Sequence, residues 1–228
     1  MGSETNSMRS PFAAVLGGFL LAACSAGEDT ATTSAADTPS SEESMVNRAF
    51  DMPYLMRELD NGLKVIIVPT DYPDIVTLQI PVQTGSRNEV EAGKSGFAHF
   101  FEHMMFRGTP NYSSDEYSAI RKKAGANSNA YTSDDYTNYY QTFTRPDLEK
   151  MIEIEADRFQ NLAYSESDFR TEALAVKGEY LKNYSNPVQK AFERTRALSF
   201  GVHPYSHTTM GFLEDIEAMP DQLDYSRE

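Results

Sequence analysis

Two short stretches near the start of the folded region show an apolar pattern typical of strands. After the turn pair Asn61-Gly62, residues 63–68 form a run rich in β-branched side chains, which predicts a strand. Apolar residues then alternate with polar ones over residues 75–82, which predicts a second strand, and Tyr72-Pro73-Asp74 forms a turn between the two. We expect ordered structure to begin near Phe50.

Further along the chain, apolar residues recur at a helical spacing of three or four. Residues 95–106 predict a helix that ends before Gly108 and Pro110, and residues 114–123 predict a second, shorter helix. Over residues 127–143 the pattern returns to strands on either side of the turn signal Ser133-Asp134-Asp135. Three more helices are predicted, at residues 145–162, 165–184 and 187–200, followed by a loop and a last helical piece.

Local signals mark where these helices begin. Pro146 and Pro187 each stand at the first turn of a predicted helix, and Ser165 with Asp168 forms a capping box. The chain has 228 residues, of which 40% are hydrophobic, so it can bury the core of one domain. The order of strands, helix, strands and helices predicts an α+β fold with a mostly antiparallel sheet flanked by helices.

The first part of the chain has the composition of an export signal. Residues 11–23 form an apolar run that follows Arg9 and is too short to span a bilayer in the usual way. Leu21-Ala22-Ala23-Cys24 resembles the lipobox of bacterial lipoproteins, which implies a lipid on Cys24, the only cysteine. Ser25 after it favours an outer-membrane location facing the periplasm. The alternative is a plain signal peptide followed by a coincidental cysteine.

These observations divide the chain into three parts. We expect residues 1–23 to be a lipoprotein signal peptide, residues 24–49 a disordered acidic tether, and residues 50–228 the folded domain. The formal charge is −14, from 34 acidic and 20 basic residues. Such a charge repels phosphate backbones and argues against nucleic acid as a partner.

Two of the four histidines lie four residues apart in the predicted helix at 95–106. His99 and His103 therefore share one face, one helical turn apart, and Glu102 directly precedes the second histidine. This H-x-x-E-H pattern is the inverted form of a common zinc motif. Core packing and metal binding are both open for the pair, and a catalytic zinc needs a third ligand from elsewhere.

The helix at 165–184 offers that ligand. Phe169, Glu172, Val176 and Glu179 fall on one stripe of this helix. Two carboxylates on an apolar stripe are costly unless they are paired or bind a cation. Their spacing allows one to ligate while the other orients a histidine. From periodicity alone, a metal role for Glu179 and a place on a solvated face both remain open.

Other candidate groups have ordinary interpretations. His203 and His207 are also four apart, but Gly201 and Pro204 predict a loop there, which favours polar packing over a second metal site. Strand packing is likewise favoured over a recognition surface for Tyr131, Tyr136, Tyr139 and Tyr140.

The segment GFAHFFEHMMFRGT resembles the G-x-A-H-x-x-E-H signature of the pitrilysin/insulinase family of zinc metallopeptidases. The similarity runs from about residue 52 to the end of the chain. It includes NGLKVIIV, GSRNEVEAGKSG, NAYTSDDYTNYY, EALAVKGEYLKNYSNP and HPYSHTTMG.

The resemblance implies a zinc metalloendopeptidase that hydrolyses peptides or unfolded polypeptides. It implies one Zn²⁺ per chain, bound by His99, His103 and Glu179, with Glu102 as the general base on the attacking water and Glu172 as a supporting carboxylate. It also implies that a strand pairs with the substrate backbone through Asn129, Ala130, Tyr131 and Thr132.

Family members have a longer catalytic unit, with a second homologous half that closes over the substrate. We therefore expect an incomplete catalytic domain. Three explanations are open: a truncated gene model, a fragment, or a subunit that needs a partner chain. The alternative function is a lipid-anchored binding or assembly subunit without turnover. The intact Glu102 argues against this alternative, because a site without catalytic activity has no need of a general base.

Overall fold

The computed structural model describes residues 52–227. Phe50 and the predicted signal peptide, Cys24 and acidic tether lie outside these residues. Within the described part of the chain, no helix combines the length and apolar character needed to cross a bilayer.

The strands form two antiparallel sheets. In the first, β1 (Leu55–Glu58) pairs with β2 (Lys64–Ile67). In the second, β3 (Ile75–Val82), β4 (Asn127–Thr132) and β5 (Thr137–Thr144) lie in the order β3-β5-β4. The sequence analysis predicted all of these strands except β1. The predicted α+β fold with antiparallel sheets is confirmed.

The described residues contain six α-helices. They are α1 (Phe97–Met104), α2 (Ser114–Lys123), α3 (Leu148–Asn161), α4 (Glu166–Tyr184), α5 (Pro187–Phe200) and α6 (Leu213–Ala218). The capping box predicted for α4 is present, because the Ser165 side chain accepts the Asp168 N–H and the Asp168 carboxylate accepts the Ser165 N–H. Pro187 likewise lies at the first turn of α5, whereas Pro146 lies in a 3₁₀ turn, Arg145–Asp147, that precedes α3.

The main core lies between α1 and α4. Phe100 and Met104 of α1 and Phe169 and Val176 of α4 are fully buried. The rings of Phe100 and Phe169 meet edge to face, with centroids 5.0 Å apart. Burial of each large apolar side chain stabilises the fold by roughly 1.5–3 kcal/mol, so this contact holds the two helices together firmly.

The face that α3 buries differs from the face that the spacing of its apolar residues predicts. Ile152 and Phe159 are 48% and 40% exposed, whereas Met151 and the ion pair of Glu155 with Arg158 are buried. The Arg158 guanidinium lies 4.7 Å from the centroid of the Tyr139 ring. The Glu155 carboxylate and the faces of nearby aromatic rings surround the buried cation, so a charged pair occupies positions that hydrophobic periodicity would assign to the surface.

Candidate metal centre

Buried carboxylates hold the start of α1. Gly96 precedes the helix at φ +90°, a left-handed conformation that favours glycine. Glu89 accepts hydrogen bonds from the Gly96 and Ala98 N–H groups at 2.8 and 2.7 Å. Asp215 accepts another from the Ser95 N–H at 3.1 Å. The helix that carries the histidine pair therefore begins at a well-defined point, where Glu89 accepts two of the N–H groups of its first turn.

Three side chains converge on one point beside α1. The Nε2 atoms of His99 and His103 lie 3.2 Å apart, and Glu179 Oε2 lies 3.8 Å from the first and 3.5 Å from the second. Ligand atoms at 2.0–2.1 Å from a tetrahedral zinc lie about 3.3 Å from one another. Because the three separations are close to that value, the residues present fit a zinc ion.

A second carboxylate sets the orientation of His103. Its Nδ1 lies 2.8 Å from Glu172 Oε1, and because a carboxylate accepts, Nδ1–H is the donor. The other nitrogen, Nε2, then carries the lone pair and points toward His99 and Glu179. Arg107, which follows His103 by four residues, contacts the remaining oxygen of Glu172. The sequence analysis missed Arg107, although its spacing from His103 is a detectable signal.

His99 has the protonation state that a ligand needs. Burial, with a smaller contribution from the neighbouring His103, lowers the pKa of His99 to about 4. Its imidazole is therefore neutral at pH 7 and can offer a lone pair.

Glu102 lies next to this cluster in a partly enclosed position. Its carboxylate is nearly buried and accepts a hydrogen bond from the Thr132 hydroxyl at 2.6 Å. Burial raises the pKa of Glu102, and the Thr132 hydrogen bond partly opposes the rise. Together with His99 and Glu179, Glu102 lines an open pocket of about 660 Å³. The carboxylate is thus placed to exchange a proton with a molecule in that pocket.

Strand β4 runs along the same pocket. In the described sheet β4 pairs with β5 alone, which leaves its other edge free. The Ala130 N–H is accepted by the Asn129 side chain at 2.9 Å, and Tyr131 is exposed. The predicted strand residues therefore differ in what their side chains contact, because Thr132 reaches Glu102 while Asn129 folds back onto its own backbone.

The remaining histidines take part in ordinary polar packing. His207 is buried, with Nδ1 2.9 Å from the Thr208 carbonyl oxygen, and His203 caps a short 3₁₀ turn through the Tyr205 N–H. Among the described residues, the metal-capable group of three contains neither of them. Of the tyrosines, Tyr139 is buried in the core, whereas Tyr131 and Tyr136 are exposed with hydroxyls 3.0 Å apart.

Comparison with known proteins identifies related chains. Residues 64–211 match the family described as Insulinase (Peptidase family M16). The chain is 35% identical to the zinc protease PqqE of Helicobacter pylori, over 70% of this chain and 36% of that protein. It is 33% identical to the insulin-degrading enzyme of Bos taurus, over 72% of this chain and 16% of that enzyme.

Structural similarity agrees with the sequence match. The crystal structure of a protease from Helicobacter pylori superposes with a TM-score of 0.70 at 33% identity, covering 73% of this chain and 40% of that one. The chain thus spans about a third of the length of its Helicobacter relative and a smaller share of the bovine enzyme.

Proposed function

The chain belongs to the insulinase family of peptidases (peptidase family M16), and from this premise we propose that it is a zinc-dependent endopeptidase acting on peptides or unfolded polypeptides. The observation that carries the proposal is the convergence of His99, His103 and Glu179 within one ligand sphere, beside the carboxylate of Glu102.

In this proposal one zinc ion per chain is held by His99 Nε2, His103 Nε2 and a Glu179 oxygen. Glu172 orients His103 from behind through the Nδ1–H hydrogen bond. When bound, zinc supplies a Lewis acid that polarises a peptide carbonyl and makes water more acidic. The two neutral imidazoles and one carboxylate are a typical donor set for such an ion.

Glu102 performs the proton transfers. Its carboxylate takes a proton from the attacking water and passes it to the leaving amine when the peptide bond breaks. The Thr132 hydroxyl, which donates to Glu102 Oε2 at 2.6 Å, holds one oxygen of the carboxylate, and we assign the proton transfers to the other. Thr132 therefore supports Glu102 as the base, and it also lies in β4, the strand proposed to pair with the substrate.

An extended peptide is the substrate shape that the pocket favours. The free edge of β4 presents backbone groups at residues 129–132, and a peptide can add there as a further antiparallel or parallel strand. The Asn129 side chain, which covers the Ala130 N–H, must move for that bond to form. Backbone pairing of this kind selects for unfolded segments, because folded substrates keep these groups paired.

The test is peptide cleavage with matched variants. In a fluorogenic peptide assay, Glu102→Gln should lower the rate by about 10²–10⁴-fold, the usual range for a general base, while zinc stays bound at one ion per chain. The exposed Glu149→Gln is the control for the charge change. Glu179→Gln should instead reduce the bound zinc, and chelator should abolish wild-type cleavage.

Different failures have different meanings. Full activity in Glu102→Gln removes Glu102 as the base, and unchanged zinc in Glu179→Gln removes it as a ligand. A wild-type chain that binds zinc but cleaves nothing indicates a binding subunit or a chain that requires a second half.

The N-terminal part of the proposal rests on sequence alone. A lipid on Cys24 would tether the peptidase to the bacterial outer membrane on its periplasmic side. Cys24→Ser should move the protein from the membrane fraction to the soluble one, and an unchanged distribution would contradict lipid anchoring.

A further inference from the structure

Arg107 lies just beyond α1, close to the metal centre. It follows His103 by four residues, and its N–H donates to the Met104 carbonyl at 2.9 Å as the chain leaves the helix. Its side chain is 33% exposed, and its Nη2 contacts Glu172 Oε2. The proposed reaction assigns Arg107 no role, although it contacts the carboxylate that orients a ligand.

Glu172 needs two partners in its position. Its side chain is 9% exposed and lies on the stripe of α4 that carries Phe169 and Val176, which are fully buried. One oxygen accepts the His103 Nδ1–H, and a neutral imidazole satisfies only that oxygen. A buried carboxylate with no cation beside it is costly, so the second oxygen requires a charged partner of its own.

Arg107 provides that partner as a permanent charge, in an ion pair without a hydrogen bond. In the described residues, the ion-pair partners of Glu172 and Glu179 are the two histidines and Arg107. A guanidinium remains charged at all physiological pH values. Glu172 therefore has one fixed cation beside it from the protein itself.

We propose that Arg107 is a positioning residue of the metal centre. By holding the second oxygen of Glu172, Arg107 keeps the first oxygen aimed at His103 Nδ1–H, and so keeps His103 Nε2 aimed at the ion. This inference rests on the proposed zinc function, and it adds a residue that acts through Glu172 and His103 without touching zinc or substrate.

A competing role for Arg107 is direct contact with substrate. Arg107 also lines an open pocket of about 370 Å³ together with Glu102, His103 and Asn129. A guanidinium in such a place can bind a carboxylate of a peptide. The two roles differ in their effect, because a substrate contact affects KM and a positioning contact affects zinc binding in the absence of substrate.

The experiment measures zinc affinity of the full chain by competition with a chromophoric chelator, without any substrate. Arg107→Met removes the charge, while Arg107→Lys keeps it. Arg170→Met, which removes an exposed guanidinium paired with Glu166 and Asp221 on the far side of α4, is the matched control.

We expect Arg107→Met to weaken zinc binding by about tenfold or more, as is usual when a group behind a metal ligand is lost. Arg107→Lys should bind within about threefold of wild type, because an ammonium can make the same single contact, and Arg170→Met should match wild type. Metal-free melting confirms that each variant folds. If Arg107→Met does not melt cooperatively, Arg107→Gln, which also removes the charge, takes its place with the same expected loss.

Wild-type zinc affinity in Arg107→Met overturns the inference, and a raised KM in that case identifies a substrate contact instead. An equal loss in Arg107→Lys also overturns it, because the charge would then not explain the effect. A wild-type chain that binds no zinc overturns the proposed function and this inference with it. This outcome differs from those above, in which wild type binds zinc and the inference alone fails.

Discussion

Glu89 is a buried carboxylate whose ionisation should make the stability of the fold depend on pH. Burial raises the pKa of Glu89 to about 7; the hydrogen bonds from Ala98 and Gly96 oppose this rise, and the nearby Asp215 carboxylate adds to it. His207 Nδ1 lies 3.6 Å from the Glu89 carboxylate. The substitution that isolates this group is Glu89→Gln, which is neutral at every pH.

The size of the effect follows from the displacement of the pKa. The change from 4.5 to about 7 is worth about 3 kcal/mol at 1.36 kcal/mol per unit. Because the folded state binds the proton more tightly, this contribution to the free energy of unfolding is complete below about pH 4.5 and is lost as the pH rises to about 7. The ionised group lies at a helix start, where a negative charge is favoured, and this limits the loss.

The assay is urea unfolding of metal-free protein, for wild type and Glu89→Gln, at several pH values between about 4 and 8. The free energy of unfolding of the variant minus that of wild type should rise by about 3 kcal/mol across this range, because only wild type loses the Glu89 contribution. A constant offset is also expected, since an amide oxygen does not replace both carboxylate oxygens as acceptors.

The exposed Glu91 provides the control, since Glu91→Gln makes the same charge change two residues away. Its difference from wild type measures what the same charge change does at an exposed position. A Glu89→Gln difference that is flat would refute the argument from burial. A difference that falls with rising pH would show that the helix start stabilises the ionised form by more than burial destabilises it.

Three further predictions concern packing, backbone and metal. Gly211→Ala should lower the free energy of unfolding by more than about 1 kcal/mol, because φ is +80° and a Cβ would lie 2.6 Å from the Gly96 nitrogen. Gly178→Ala, at a helical site with open space, should raise the free energy of unfolding by about 0.5–1 kcal/mol. Phe169→Ala should cost about 3–5 kcal/mol in chemical denaturation, whereas Leu174→Ala, at a 61% exposed position, should cost less than about 1 kcal/mol. Zinc at about 100 times its Kd should add about 2.7 kcal/mol to the free energy of unfolding, and chelator should reverse the gain.

The local pattern of the chain was sufficient to predict most helices and strands. The starts of α4 and α5 were located by a capping box and by Pro187, and both are present. These signals act within one or two turns of helix, so they do not depend on the rest of the fold. The same holds for the placement of His99 and His103 on one face.

Pairing between distant segments could not be predicted in this way. Strand β1 was missed, and the central place of β5 between β3 and β4 follows from long-range backbone pairing. The burial of Glu155 and Arg158 on α3 was also not predicted, because the Tyr139 ring that Arg158 contacts lies on another element. Hydrophobic periodicity assumes that charges face water, and here a paired charge does not.

The sequence by itself determined which candidate ligand types are present and which of them share a helix face, because an i, i+4 spacing is a property of a single helix. Tertiary structure decided the rest of the candidate metal centre. The approach of Glu179 to within 3.8 Å of His99, the contact of Thr132 with Glu102, and the position of Arg107 behind Glu172 all depend on how α1 packs against α4 and β4. The burial that lowers the pKa of His99 has the same origin. These distances join residues up to about 80 positions apart, and only the packing of the core between them, such as Phe100 against Phe169, brings them together.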